Sequence, residues 1–175
     1  STFLALPALA QTIGSDRDAC NKSEGPAIQA NITGLKDRTG RLKLELYPAT
    51  EEDFLKDDHD LRAENKVFRR VWASMPDEGP VSMCIKVPEP GTYALFFTHD
   101  RDHRNKFNFW KDGAGVPGNG KLGRSKPDLS QAIVKVGSGV TVRSSRRSTR
   151  AKQNGRLNAC GEAPESNGQS NTVSK

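Results

Sequence analysis

The chain has 175 residues, 34% of them apolar, and a formal charge of +6 from 27 basic and 21 acidic side chains. That length supports one domain with a real core, and the low apolar share implies that part of the chain stays outside it. Seven of the basic residues but only Glu162 and Glu165 of the acidic ones fall in residues 143–175, so the excess charge is a property of the tail and gives the body no basic face for specific nucleic-acid binding.

The first ten residues, STFLALPALA, form an apolar run ending in the small residues Ala8-Leu9-Ala10, ahead of Gln11. They read as the back half of a secretory signal peptide with an A-x-A cleavage site. The run is too short to cross a bilayer, and no other stretch approaches the length of a transmembrane segment. The expectation is a periplasmic or secreted protein with residues 11–26 as an N-terminal segment ahead of the body. Export makes a disulfide the default for cysteines. Cys20 and Cys84 both fall in the structured part and are the expected pair, with Cys20–Cys160 as the alternative.

The body reads as strands. Ala27 to Thr33 places Ile28, Ala30 and Ile32 on one face. Arg41 to Tyr47 alternates more cleanly, with Leu42, Leu44 and Leu46 inward and Arg41, Lys43 and Glu45 outward, as an antiparallel strand wetted on one side does. Pro48 ends it. The acidic stretch from Ala49 to Glu64 reads as a solvated connection, in which Thr50 can cap a short helix with Asp53 at its third position. Lys66 to Met75 and Val81 to Val87 are further strands, and in the second Cys84 shares a face with Ser82 and Lys86. Pro88 to Gly91 is a tight turn into the strand from Thr92 to His99. Gln131 to Val136 and Val140 to Val142 read as a last hairpin around Gly137-Ser138-Gly139. Six or seven short strands without βαβ alternation predict an all-β, antiparallel β-sandwich over residues 27–142. The remainder, 143–175, is polar, basic and expected to be a disordered tail.

The segment from Gly91 to Lys126 resembles the signature of domain-of-unknown-function family 2141, a group of exported bacterial proteins. The matching pieces are Pro90-Gly91-Thr92-Tyr93-Ala94, His99-Asp100, the Asp/Asn-rich loop that follows, and Gly115-Val116-Pro117-Gly118. Gly34-Leu35, Gly40-Arg41-Leu42 and Glu45-Leu46-Tyr47 fit its first hairpin. The resemblance implies a prealbumin-like or carboxypeptidase-regulatory-like sandwich and an exported location, and it brings no catalytic residue or cofactor. The family's apolar closing strand has no counterpart after Val142, where the sequence turns polar. A natural tail and a shifted reading frame both account for that departure.

The loop after the last long strand concentrates the polar chemistry. Asp100-x-Asp102-x-Arg104-Asn105 resembles the start of a calcium loop, in which oxygen ligands recur at alternate positions, and Asp112 with Asn108 can complete a looser shell. Arg104 in a ligand position, and the missing Gly and Glu of a full motif, depart from that pattern. His99 and His103, with Asp100 or Asp102, offer a transition-metal alternative. Phe107, Phe109 and Trp110 offer an aromatic surface for a protein, peptide or glycan partner, or a cover for the end of the sandwich. No nucleophile elbow surrounds Ser125, and the glycines at 113, 115, 118, 120 and 123 open no helix and build no phosphate cradle. The sequence therefore favours a non-enzymatic binding or structural module with a loop-end site near residues 99–120, without a cofactor unless calcium is one. A metal-dependent enzyme using His99, Asp100, Asp102 and His103 is the alternative.

Overall fold

The computed structural model describes residues 11–105, 108, 111–118, 122 and 126–147. The expected signal-peptide remnant, most of the tail, and Phe107, Phe109 and Trp110 lie outside the described residues. Among them the order is β1 (Gln11–Ile13), α1 (Arg17–Asn21), β2 (Ala27–Thr33), β3 (Arg41–Pro48), α2 (Asp58–Ala63), β4 (Arg69–Ser74), β5 (Val81–Lys86), β6 (Gly91–Asp100), β7 (Gly113–Gly115), α3 (Leu129–Ala132), β8 (Ile133–Val136) and β9 (Val140–Arg146).

The strands form two sheets. The first runs β1-β5-β2-β9. The second runs β4-β3-β6, and the far edge of the long β6 carries two short partners. β8 pairs with its first half, Gly91 to Ala94, and β7 with its second, Phe97 to His99. Most pairs are antiparallel, as alternation predicts, while β1–β5 and β2–β9 run parallel.

The alternating residues of β2 and β3 do what their pattern dictates. Ile28, Ala30 and Ile32 face Leu42, Leu44 and Leu46 across the gap, joined by Met83, Ile85, Leu95 and Phe97, all buried in one core. The second sheet is covered on its outer side too: Tyr47, Phe54, Leu61, Val116, Leu129 and Ala132 form a separate apolar cluster there. Residues 49–64 are therefore a lid on the sheet, held down by Phe54 and Leu61. Thr50 and Asp53 do form a reciprocal cap, with Thr50 Oγ1 donating to Asp53 at 2.8 Å and accepting the Asp53 N–H at 3.1 Å. It closes an isolated turn, and the helix starts later, capped by Asp57.

Cys20 and Cys84 form a disulfide with 64 residues of separation. It pins α1 onto the outer side of the first sheet, which is why β5 is buried on both faces. Asp16, just before α1, fastens the same corner. Its carboxylate accepts both Nε and Nη2 of Arg69 at 2.6 Å and the Lys86 N–H at 2.9 Å, so one side chain ties β4 of the second sheet to β5 of the first.

Two expectations about the C-terminal part need correction. The hairpin across Gly137-Ser138-Gly139 does not form, because β8 lies in the second sheet and β9 crosses to the first. The strand also does not stop at Val142. It runs to Arg146 in parallel register with β2, from Ala27↔Val140 to Thr33↔Arg146. Hydropathy misses this because the ladder is a backbone interaction and β9 is an edge strand. Of its last four residues only Ser145 is buried, while Arg143, Ser144 and Arg146 face water.

Candidate metal centre

The loop leaving β6 is built on opposite faces of one strand. Leu95, Phe97 and His99 point into the core, and Asp100 points outward with Phe96 and Thr98. His99 is paired in register with Leu42 and is fully buried. Its Nε2 lies 2.6 Å from the Thr39 carbonyl, so this nitrogen donates. Burial first, and then the nearby Arg147 charge, hold the imidazole below its ordinary pKa. His103 is exposed with a left-handed backbone, φ +58°. Neither histidine belongs to a cluster of potential metal ligands among the described residues.

Asp100, Asp102 and Asp112 do converge. One carboxylate oxygen from each lies within 4.8 Å of the other two. Asp100 is 3% exposed and is paired in register with Arg41, whose Nε donates to Asp100 Oδ2 at 2.9 Å. The Asn105 N–H donates to the same oxygen at 3.2 Å. Burial opposes ionisation of Asp100, yet these donors hold its carboxyl below the usual range, so it is a carboxylate at neutral pH. Asp112 accepts the Arg101 N–H at 2.9 Å and the Asn108 N–H at 2.7 Å, clamping the two ends of the loop together. Asp102 Oδ1 accepts the Arg104 N–H at 3.3 Å.

Two oxygens of this cluster remain buried without a hydrogen bond among the described residues: Asp100 Oδ1 and Asp102 Oδ2. The cations beside Asp102 Oδ2 are Arg104 Nε at 3.6 Å and Lys111 Nζ at 4.0 Å, both on exposed side chains that can swing into water. A second acidic cluster, Glu52, Asp53 and Glu64, shows the contrast. Lys66 Nζ fills it at 2.6 Å from Asp53 and 2.8 Å from Glu64, and Lys56 adds a 2.6 Å bond to Glu64. Lys56 within the acidic run and Lys66 just after it thus supply the counter-ions of these carboxylates.

Of the expected calcium ligands the structure brings Asp100, Asp102 and Asp112 together. Asn105 is exposed and contributes its backbone N–H. Sequence reasoning did not anticipate Arg41 or Asp37. Arg41 stacks on the Trp72 ring at 3.9 Å while bonding Asp100. Asp37 bonds Arg101 at 2.5 Å and so braces the loop from the β2–β3 connection. The outward position of Arg41 in an alternating strand was visible, but its partner depends on a strand register that spacing alone does not fix. Gly40 completes the support. Its φ is +77°, and a Cβ there would overlap the Asp100 carbonyl and Arg101 Cα.

A family model described as an uncharacterized protein conserved in bacteria (DUF2141) matches residues 30–144, well over half of the chain. The chain belongs to that family. The part of this DUF2141 domain that matches begins inside β2 and reaches into β9, and it contains Gly40, Arg41 and all three clustered aspartates. No curated protein and no solved structure matches the chain. Among the described residues no helix is long and apolar enough to cross a membrane.

Proposed function

We propose that this DUF2141 chain is an exported, non-enzymatic binding domain whose loop end is organised by one calcium ion held by Asp100, Asp102 and Asp112. The observation that carries the reading is the pair of buried, unbonded carboxylate oxygens, Asp100 Oδ1 and Asp102 Oδ2, within a cluster of three aspartates. Leaving such oxygens without a donor costs about 1–3 kcal/mol each, more when charged, and a hard cation that prefers oxygen ligands removes that cost. The donors suit calcium better than zinc, since they are all carboxylates and His99 faces the other way. Three charges and a partly exposed shell fit an extracellular-type affinity, roughly 0.1–1 mM. The disulfide supports an oxidising compartment. With the loop ordered by the ion, the adjacent stack of Arg41 on Trp72 offers a surface to a protein, peptide or glycan ligand.

Thermal melting tests the reading. Millimolar calcium should raise the midpoint by several degrees, and magnesium should do less. Asp102→Asn, a partly exposed position, should remove the calcium response while the protein still folds. No calcium response in the native protein would sink the proposal.

A further inference from the structure

The two sheets meet at one edge, where β9 passes β7. Pro117 and Ser145 form an isolated bridge, and the Gly118 N–H donates to the Ser144 carbonyl at 3.1 Å. The approach requires glycine. A Cβ on Gly113 would overlap the Arg147 side chain, and one on Gly115 would lie 2.7 Å from the Arg146 carbonyl oxygen.

Three buried polar side chains come to this seam from three segments. Ser145 is paired in register with the core residue Ile32 and so faces inward. Arg147 lies two positions on, about 7 Å further along, and its chain crosses Gly113. Gly113 is the register partner of His99, one strand spacing away, about 5 Å. Each presents a buried atom with no hydrogen bond: Ser145 Oγ, Arg147 Nε and His99 Nδ1. Arg147 is 5% exposed and forms no ion pair among the described residues. Asp37 and Asp112 lie within electrostatic reach of Arg147, but neither is ion-paired with it: Asp37 bonds Arg101, and Asp112 accepts two backbone amides.

We propose that this seam is a binding site for a small protonated oxyanion, held by Arg147, Ser145 and His99. The charge and the hydrogens select the ligand. A buried guanidinium without a counter-ion is expensive, and water in the seam leaves the charge unmatched. His99 donates through Nε2 to Thr39, so its Nδ1 offers a lone pair and wants a donor. The ligand that satisfies both groups directly carries negative charge toward Arg147 and an O–H toward His99. Hydrogencarbonate and hydrogenphosphate do both, sulfate and chloride carry no proton, and Ser145 can serve either partner. Entry requires a local opening at the edge strand β9, a low-energy event for an edge.

The test is melting of the full chain in chelator at equal ionic strength, with chloride, sulfate, phosphate or hydrogencarbonate as the anion. Chelator keeps the result independent of the cation site. Phosphate or hydrogencarbonate should raise the midpoint by several degrees over chloride, and by clearly more than sulfate. Whichever of the two gives the larger shift identifies the source. Arg147→Met should erase the difference between anions and should melt in chloride no lower than the native protein, because it removes an unpaired buried charge. Equal midpoints in all four salts, or an anion response that survives in Arg147→Met, would overturn the proposal. If that variant does not fold, phosphorus NMR of phosphate and carbon-13 NMR of labelled hydrogencarbonate on the native protein decide: protein-dependent line broadening of either anion that sulfate does not compete away supports the site, and its absence for both overturns it.

Discussion

Asp16 is a small side chain on which two sheets depend, and removing it should be costly. Asp16→Ala deletes a two-pronged bond to Arg69 and leaves the Lys86 N–H without its acceptor. Arg69 is 44% exposed at its side chain and regains water, so that part costs about 1–2 kcal/mol. The orphaned Lys86 N–H adds about 1–2 kcal/mol. The sum, about 2–4 kcal/mol, corresponds to a drop of roughly 4–16 °C in melting temperature for a domain of this size. The effect should also depend on pH. Burial works against ionisation of Asp16, but Arg69 and the Lys86 N–H hold its carboxyl below the usual 3.8. A depressed carboxyl stabilises above its unfolded pKa and loses that contribution as pH falls through the folded one. Urea unfolding of native protein and variant should give a gap that is full at neutral pH and shrinks below about pH 4. A gap under about 1 kcal/mol at neutral pH, or one that persists unchanged in strong acid, would show that the ionised Asp16 does not hold the two sheets together.

Three further outcomes follow from the same geometry. Reducing the Cys20–Cys84 bridge, which closes a loop of 64 residues' separation, should lower stability by about 3–4 kcal/mol in urea. Gly40→Ala combines a φ of +77° with overlap against the Asp100 carbonyl; it should cost about 2–4 kcal/mol and weaken calcium binding in the same protein. Burial opposes ionisation of Asp37, but Thr39 and Arg101 hold its carboxyl at about 2. Its contribution is therefore complete above about pH 4 and is lost as pH falls toward 2, so Asp37→Asn should flatten that part of the acid-unfolding curve.

Much of the fold is legible wherever burial imposes a period. Leu42, Leu44 and Leu46 alternate because one face of β3 meets the core, and the same logic finds β2, β5 and β6. Chemistry in an oxidising setting finds the Cys20–Cys84 pair. The elements that escape are those made by backbone pairing alone. β7 is Gly-Ala-Gly, chosen for close approach to β9, and β1 has only three residues. The polar half of β9 pairs with β2 without an apolar face to announce it. Within the candidate site the aspartates stand out by composition, but Arg41, Asp37 and Arg147 do not, because their roles depend on register and on which sheet each strand joins.

Isothermal titration of calcium into metal-free protein reads directly whether the three aspartates hold an ion. One ion per chain should bind at roughly 0.1–1 mM affinity, with the heat abolished in Asp100→Asn and in Asp102→Asn. No heat above dilution, or binding that survives both substitutions, would contradict it.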